Sequence, residues 1–160
     1  ISGVPPSRLQ VNPMVGPSLD TLLTCGAKDT TLILDGQAWR LWTAMFLHAG
    51  IVHFIFNMIG FLQVGIMVER VYGWWRVALI YLIGGLFSTI VSAVFAPLQI
   101  MVGASGAIFA VFGALWADLW QNWRVCLNRR SAVCMLFFLT LINVILGLMP
   151  YLDNFAHISG

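Results

Sequence analysis

Four stretches of this chain, roughly 51–71, 75–96, 105–120 and 132–149, are nearly uninterrupted runs of apolar residues. A helix needs about 20 such residues to cross a bilayer, within a range of about 17–25. The first two runs are long enough, the fourth is just adequate, and the third is short. The third therefore starts below the membrane surface, and the loop before it, 97–104, dips inward. Such a course is tolerated only where protein or water surrounds the backbone. A fifth apolar segment begins near Phe155. The chain is 60% hydrophobic and 9% charged over 160 residues, against about 25% charged for an average soluble domain. A soluble chain of this size could not hide so much apolar surface. The expected fold is an all-α membrane protein, one helical bundle with four full transmembrane helices and the start of another.

Residues 1–50 form a loop and interfacial hairpin region, and 51–160 form the transmembrane core, together one domain. Ser18 reads as the cap of a short helix with Leu19, Leu22 and Leu23 on one face, closed by Gly26. Trp39 and Arg40 have the composition of a headgroup-level segment. Arg70 and Arg76 lie between the first two runs, and Arg124, Arg129 and Arg130 between the last two. Those connections are expected on the cytoplasmic side. Ile1 and Gly160 read as cut ends.

A net charge of +2 is too small to suggest nucleic acid. Cys25, Cys126 and Cys134 form no zinc pattern. His48 and His53 are five apart with no Glu between them, so there is no HExxH motif. Asp118 lies well inside an apolar run, with no convincing partner for a carboxylate pair. No metal and no cofactor is required.

Topology brings the remaining polar residues together. In an alternating bundle, the starts of the first, third and fifth segments share one face and one depth. These starts carry His53 and Asn57, then Ser105, then His157. Ser105 lies in Gly103-Ala104-Ser105-Gly106 at a helix start, where backbone N–H groups lack intrahelical acceptors. On that motif alone, close helix packing through small residues such as Gly106 and Gly113 is the commoner explanation. His157 shifts the balance, because membrane histidines are costly and a serine needs a base to become a nucleophile. His53 and Asn57 share one helix face. Both can donate hydrogen bonds to an oxyanion or, equally, to a neighbouring helix. His48 suits a surface or loop-ordering role. Asp153 reads as an exposed loop carboxylate, and Glu69 and Arg70 as helix-end anchors.

Taken together, Trp39-Arg40, His48-Ala-Gly-Ile-Val-His53-Phe-Ile-Phe-Asn57, Glu69-Arg70-Val-Tyr-Gly73, Gly103-Ala-Ser105-Gly106 and Ala156-His157-Ile-Ser-Gly160 resemble the rhomboid intramembrane serine proteases. The resemblance implies a six-helix core and a Ser–His dyad, with Ser105 as nucleophile and His157 as general base. His53, Asn57 and the Ser105 backbone N–H would stabilise the oxyanion. Gly103 matches the first glycine of the family's GxSG motif, and Phe109 the aromatic that packs on the catalytic histidine. Trp39-Arg40 matches a motif bracing the N-terminal hairpin, and His48 a histidine supporting that loop. Gly160 matches the glycine of close packing between the last helix and the serine helix. The family's first transmembrane helix and most of its last are absent from these residues.

The expected partners are single-pass transmembrane protein substrates and the lipid bilayer, with oligomeric state open. The expected location is a multi-pass position with the site toward the non-cytoplasmic face, in the plasma membrane or secretory pathway rather than the mitochondrion. The first rival is an inactive relative that binds transmembrane clients for trafficking or degradation. The second is a small transporter or channel, but that would carry polar residues through the bilayer depth, with Gln63 and Asn143 as the main candidates.

Overall fold

A computed structural model describes residue 12, residues 14–147 and residue 159. His157, Gly160, Asp153 and the fifth segment near Phe155 lie outside the described residues, as do the last residues of the fourth run.

The described chain is helical. Three short helices, α1 (Leu19–Cys25), α2 (Thr30–Leu34) and α3 (Arg40–Thr43), lead through a 3-10 turn at Ala44–Phe46 into four long ones. These are α4 (Ile51–Tyr72), α5 (Trp74–Phe95), α6 (Ser105–Gln121) and α7 (Arg129–Gly147). The boundaries of α4, α5 and α6 follow the apolar runs within a residue or two. Helix α7 begins three residues before the fourth run, because Arg129 and Arg130 supply its first turn.

Helix α1 forms where its caps require. The Ser18 hydroxyl accepts the Thr21 N–H at 3.3 Å, and Gly26 closes the helix in the left-handed region at φ 109°. Space also demands glycine there. A Cβ on Gly26 would lie 2.5 Å from Cζ3 of Trp39 and 2.6 Å from Oγ1 of Thr43.

Helix α6 is the centre of the bundle. Its buried positions Ile108, Val111, Phe112, Leu115 and Leu119 recur at helical spacing on one stripe. That stripe packs against Val64 and Val68 of α4, Val77 of α5 and Leu136 of α7. Helix α5 approaches α6 through small residues. A Cβ on Gly84 would overlap Cβ of Ala110, and one on Gly85 would lie 2.9 Å from Cβ of Ala107. These two glycines make a close helix approach of the kind expected of small residues such as Gly106 and Gly113. Gly106 is buried, but Gly113 is exposed and meets nothing within 4 Å among the described residues.

Helices α4 and α5 are long and apolar enough to cross a membrane. Each turns a broad apolar face outward, Ile55, Ile59, Leu62 and Ile66 on α4, and Leu79, Ile83, Phe87 and Ile90 on α5. Contiguous exposed apolar surface of this extent is foreign to a water-soluble monomer and suits lipid. Helix α6 is five residues shorter than either, as the short third run implied.

Asp118 does have a partner. The Tyr72 hydroxyl at the end of α4 donates to its carboxylate at 2.6 Å, and Asn122 Nδ2 donates to the same oxygen at 2.8 Å. The partners are a phenol and an amide rather than a second acid, so Asp118 ties α6 to the α4–α5 corner.

Candidate active site

Ser105 is the first residue of α6, preceded by Ala104 as N-cap without a capping side chain. The loop that delivers it is held from outside. Gly103 donates its N–H to Ala44 O at 2.9 Å and adopts φ +131°, a region L side chains avoid. A Cβ at Gly103 would lie 2.7 Å from Cε1 and 3.0 Å from Nε2 of His53, and 3.7 Å from Oγ of Ser105. The imidazole of α4 and the hydroxyl of α6 therefore converge on the space that this glycine leaves open.

His53 is 4% exposed. Its Nδ1 accepts the Ala49 backbone N–H at 3.3 Å. An acceptor at Nδ1 assigns the proton of neutral His53 to Nε2, the nitrogen nearer Gly103. His53 is thereby set as a donor toward the Ser105 side of the site. Asn57, one turn further along α4, is buried at 7% exposure and donates Nδ2–H to His53 O at 2.9 Å. One of its two amide protons is thus spent within its own helix, which leaves one for other use.

The neighbours of His53 are ordered in turn. His48 stacks edge-on against it, with ring centroids 5.3 Å apart, and also against Phe54 at 5.1 Å. His48 thus contacts both His53 and the next residue of α4. Burial pushes the His48 imidazole below its usual value of 6.5, and a hydrogen bond with the Phe46 backbone opposes this only partly. The folded state then resists protonation that the unfolded chain accepts. The stability His48 contributes is intact above pH 6.5 and is lost as the pH falls below it. The thermal midpoint is expected to drop between neutral pH and about pH 5, and His48→Gln should flatten part of that slope. A slope identical in wild type and variant would show that His48 does not titrate against the fold.

Arg40 is 5% exposed. Its Nη1 donates to Leu23 O at 2.7 Å and to Ala27 O at 2.9 Å, and its Nε to Gln37 Oε1 at 2.8 Å. The guanidinium lies 4.8 Å from the Trp39 ring centroid. These bonds tie the 23–27 stretch to the start of α3. Phe109 lies one turn beyond Ser105 and faces Phe112, with ring centroids 6.0 Å apart. His157, the expected base, and Gly160 fall outside the described residues. The described site thus joins Ser105, Gly103, His53, Asn57 and His48.

A hydroxyl at a helix start, a donor-set imidazole beside it and a glycine that keeps the space open suit chemistry on a carbonyl. Sequence comparison gives the family. The Rhomboid domain profile matches residues 35–160. The chain belongs to the rhomboid family. Among curated rhomboids, RHOMBOID-like protein 6, mitochondrial, of Arabidopsis thaliana is 44% identical over 95% of the chain and 50% of its own length. RHOMBOID-like protein 2 of the same plant is 44% identical over 95% of the chain and 48% of its length. Inactive RHOMBOID-like protein 8, also from Arabidopsis thaliana, is 31% identical over 95% of the chain and 44% of its length. The chain spans about half the length of the curated rhomboids it matches.

No motif in the sequence marks Lys28 for a structural role. It is fully buried and donates to three backbone carbonyls. Its partners lie 64 to 71 residues away, beyond any local pattern. The one signal in the sequence is that Lys28 is the chain's single lysine.

Proposed function

We propose that this rhomboid domain is an intramembrane serine endopeptidase. The carrying observation is the space at Gly103, bordered by the His53 ring and Ser105 Oγ. In this reading α6 and α7 cross the bilayer with α4 and α5, and the site opens toward the non-cytoplasmic face. A transmembrane substrate unwinds locally and presents a peptide carbonyl to Ser105. His157 takes the hydroxyl proton as Oγ attacks the carbonyl carbon. The oxyanion sits against His53 Nε2–H, the remaining Asn57 amide proton and the Ser105 backbone N–H. Collapse expels the amine, which receives the proton from His157, and leaves an acyl-enzyme. Water, deprotonated by His157, then releases the acid product and restores Ser105. The location proposed is a multi-pass membrane position. A 44%-identical relative whose name places it in mitochondria removes the ground for preferring another organelle.

The test is cleavage of a single-pass substrate in liposomes by the full-length protein, beside Ser105→Ala and His157→Ala. Cleavage that both variants abolish supports the dyad, whereas cleavage surviving Ser105→Ala sinks it. A second reading, a client-binding protein without activity, is favoured by the relative named inactive at 31% identity. It gains if folded wild type binds transmembrane segments and cleaves none.

A further inference from the structure

The last carbonyls of a helix have no intrahelical donors, and they form the negative end of its dipole. At the end of α5 one cation joins this region, although Ser92 O also accepts the Ala96 N–H and Ala96 O the Gln99 N–H. Lys28, 0% exposed, donates from Nζ to Ser92 O at 3.2 Å, Ala96 O at 2.7 Å and Gln99 O at 2.9 Å. An ammonium group out of water needs such acceptors, so the chain from the end of α5 to Gln99 is wound around it. The backbone of the same residue grips the next part of the loop. Lys28 N–H donates to Met101 O at 2.9 Å, and Met101 N–H donates to Lys28 O at 3.1 Å. Two residues on is Gly103, pinned to Ala44 O. Ala44 and Met101 pack together as a separate buried cluster. Lys28 is itself held from behind, since Arg40 bonds Ala27 O.

We infer that Lys28 is a positioning residue for catalysis, holding the 97–104 loop so that Gly103 and Ser105 keep their register against His53. This rests on the protease reading above. Its role is one of position, through the backbone carbonyls of Ser92, Ala96 and Gln99. It acts by removing the loop's freedom from both ends of the 96–101 segment.

The expected loss lies in the chemical step rather than in substrate binding. In the full-length protein in liposomes, Lys28→Met keeps the length of the side chain and removes its donors. It is expected to lower kcat by about 10²-fold, the scale of a misplaced catalytic group, with KM changed by no more than about twofold. Tyr72→Phe, which loosens the Asp118 contact at the opposite end of α4, is the stability control. Amide hydrogen exchange across 97–104 is measured in parallel and is expected to quicken in Lys28→Met and not in Tyr72→Phe. If Lys28→Met does not accumulate as folded protein, Lys28→Gln, with its shorter neutral donor, takes its place with the same expected pattern. A kcat no lower than that of Tyr72→Phe at an equal thermal midpoint overturns the inference, and so does unchanged exchange in the loop. If the wild type shows no Ser105-dependent cleavage, the protease reading falls, and the exchange result alone decides whether Lys28 holds the loop.

Discussion

Gly103→Ala is expected to lower turnover of a transmembrane substrate by about 10²-fold or more, the scale of losing one oxyanion donor. Two causes act together. The added methyl would lie 2.7 Å from His53 Cε1 and 3.0 Å from Nε2, so the ring must move from the place where its Nε2 proton is aimed. The backbone at φ +131° is also strained for alanine, and left-handed conformations cost L residues about 1–2 kcal/mol. The strain is small beside the stability of a bundle whose packing lies elsewhere, so the protein should still fold. The measurement is kcat and KM together with the rate of Ser105 labelling by a fluorophosphonate, whose reaction needs the same nucleophile and oxyanion site. Both rates should fall in parallel. Wild-type labelling in a folded Gly103→Ala protein would place the oxyanion somewhere other than beside His53.

Phe112→Ala is expected to carry the largest stability loss of any single truncation in the core. Phe112 is 2% exposed and lies on the α6 stripe between α4, α5 and α7. Removing a buried phenyl ring from a water-soluble core costs about 3–5 kcal/mol. In a bilayer, part of that figure disappears, because lipid tails solvate an unfolded phenyl group as well as the core does. What remains is lost dispersion contact around the cavity, and a destabilisation of about 2–3 kcal/mol is expected. Reversible unfolding in mixed micelles measures it. Because Ser105 begins the same helix, activity per folded molecule should fall much less than stability. A variant as stable as wild type would mean that the neighbours collapse into the space.

Much of this arrangement was legible in the sequence because it rests on local rules. Ser18 and Gly26 announce both ends of α1, and the apolar runs announce α4, α5 and α6. The convergence of His53 with Ser105 follows from alternation of helix direction. What escaped notice is long-range. Gly84 and Gly85 fit against Ala110 and Ala107, but helix rotation decides which glycines face a neighbour, and nothing in the spacing distinguishes them from Gly113. Tyr72 and Asp118 are 46 residues apart, so their bond shows only once α4 and α6 are side by side. Lys28 is the hardest case, because a lysine in a polar N-terminal stretch reads as solvated until the end of α5 is seen around it. Helix α7 begins with two arginines, which an apolar pattern excludes by construction.

A single residue, Gly73, separates α4 from α5, and each helix has 22 residues. At about 1.5 Å per residue, the two limbs have equal reach from a common corner, like the legs of a pair of compasses. One leg carries His53 near its tip, and the other ends in the carbonyls that Lys28 grips. Their lengths set how far along the bundle each of these points lies. One residue inserted into α5 would lift the carbonyl cluster by about 1.5 Å and swing it through about 100°, with no slack at the corner to absorb the change. Substitutions along the lipid faces of these helices leave that measure untouched, whereas insertions and deletions alter it. Length, more than composition, is the quantity this pair of helices must keep.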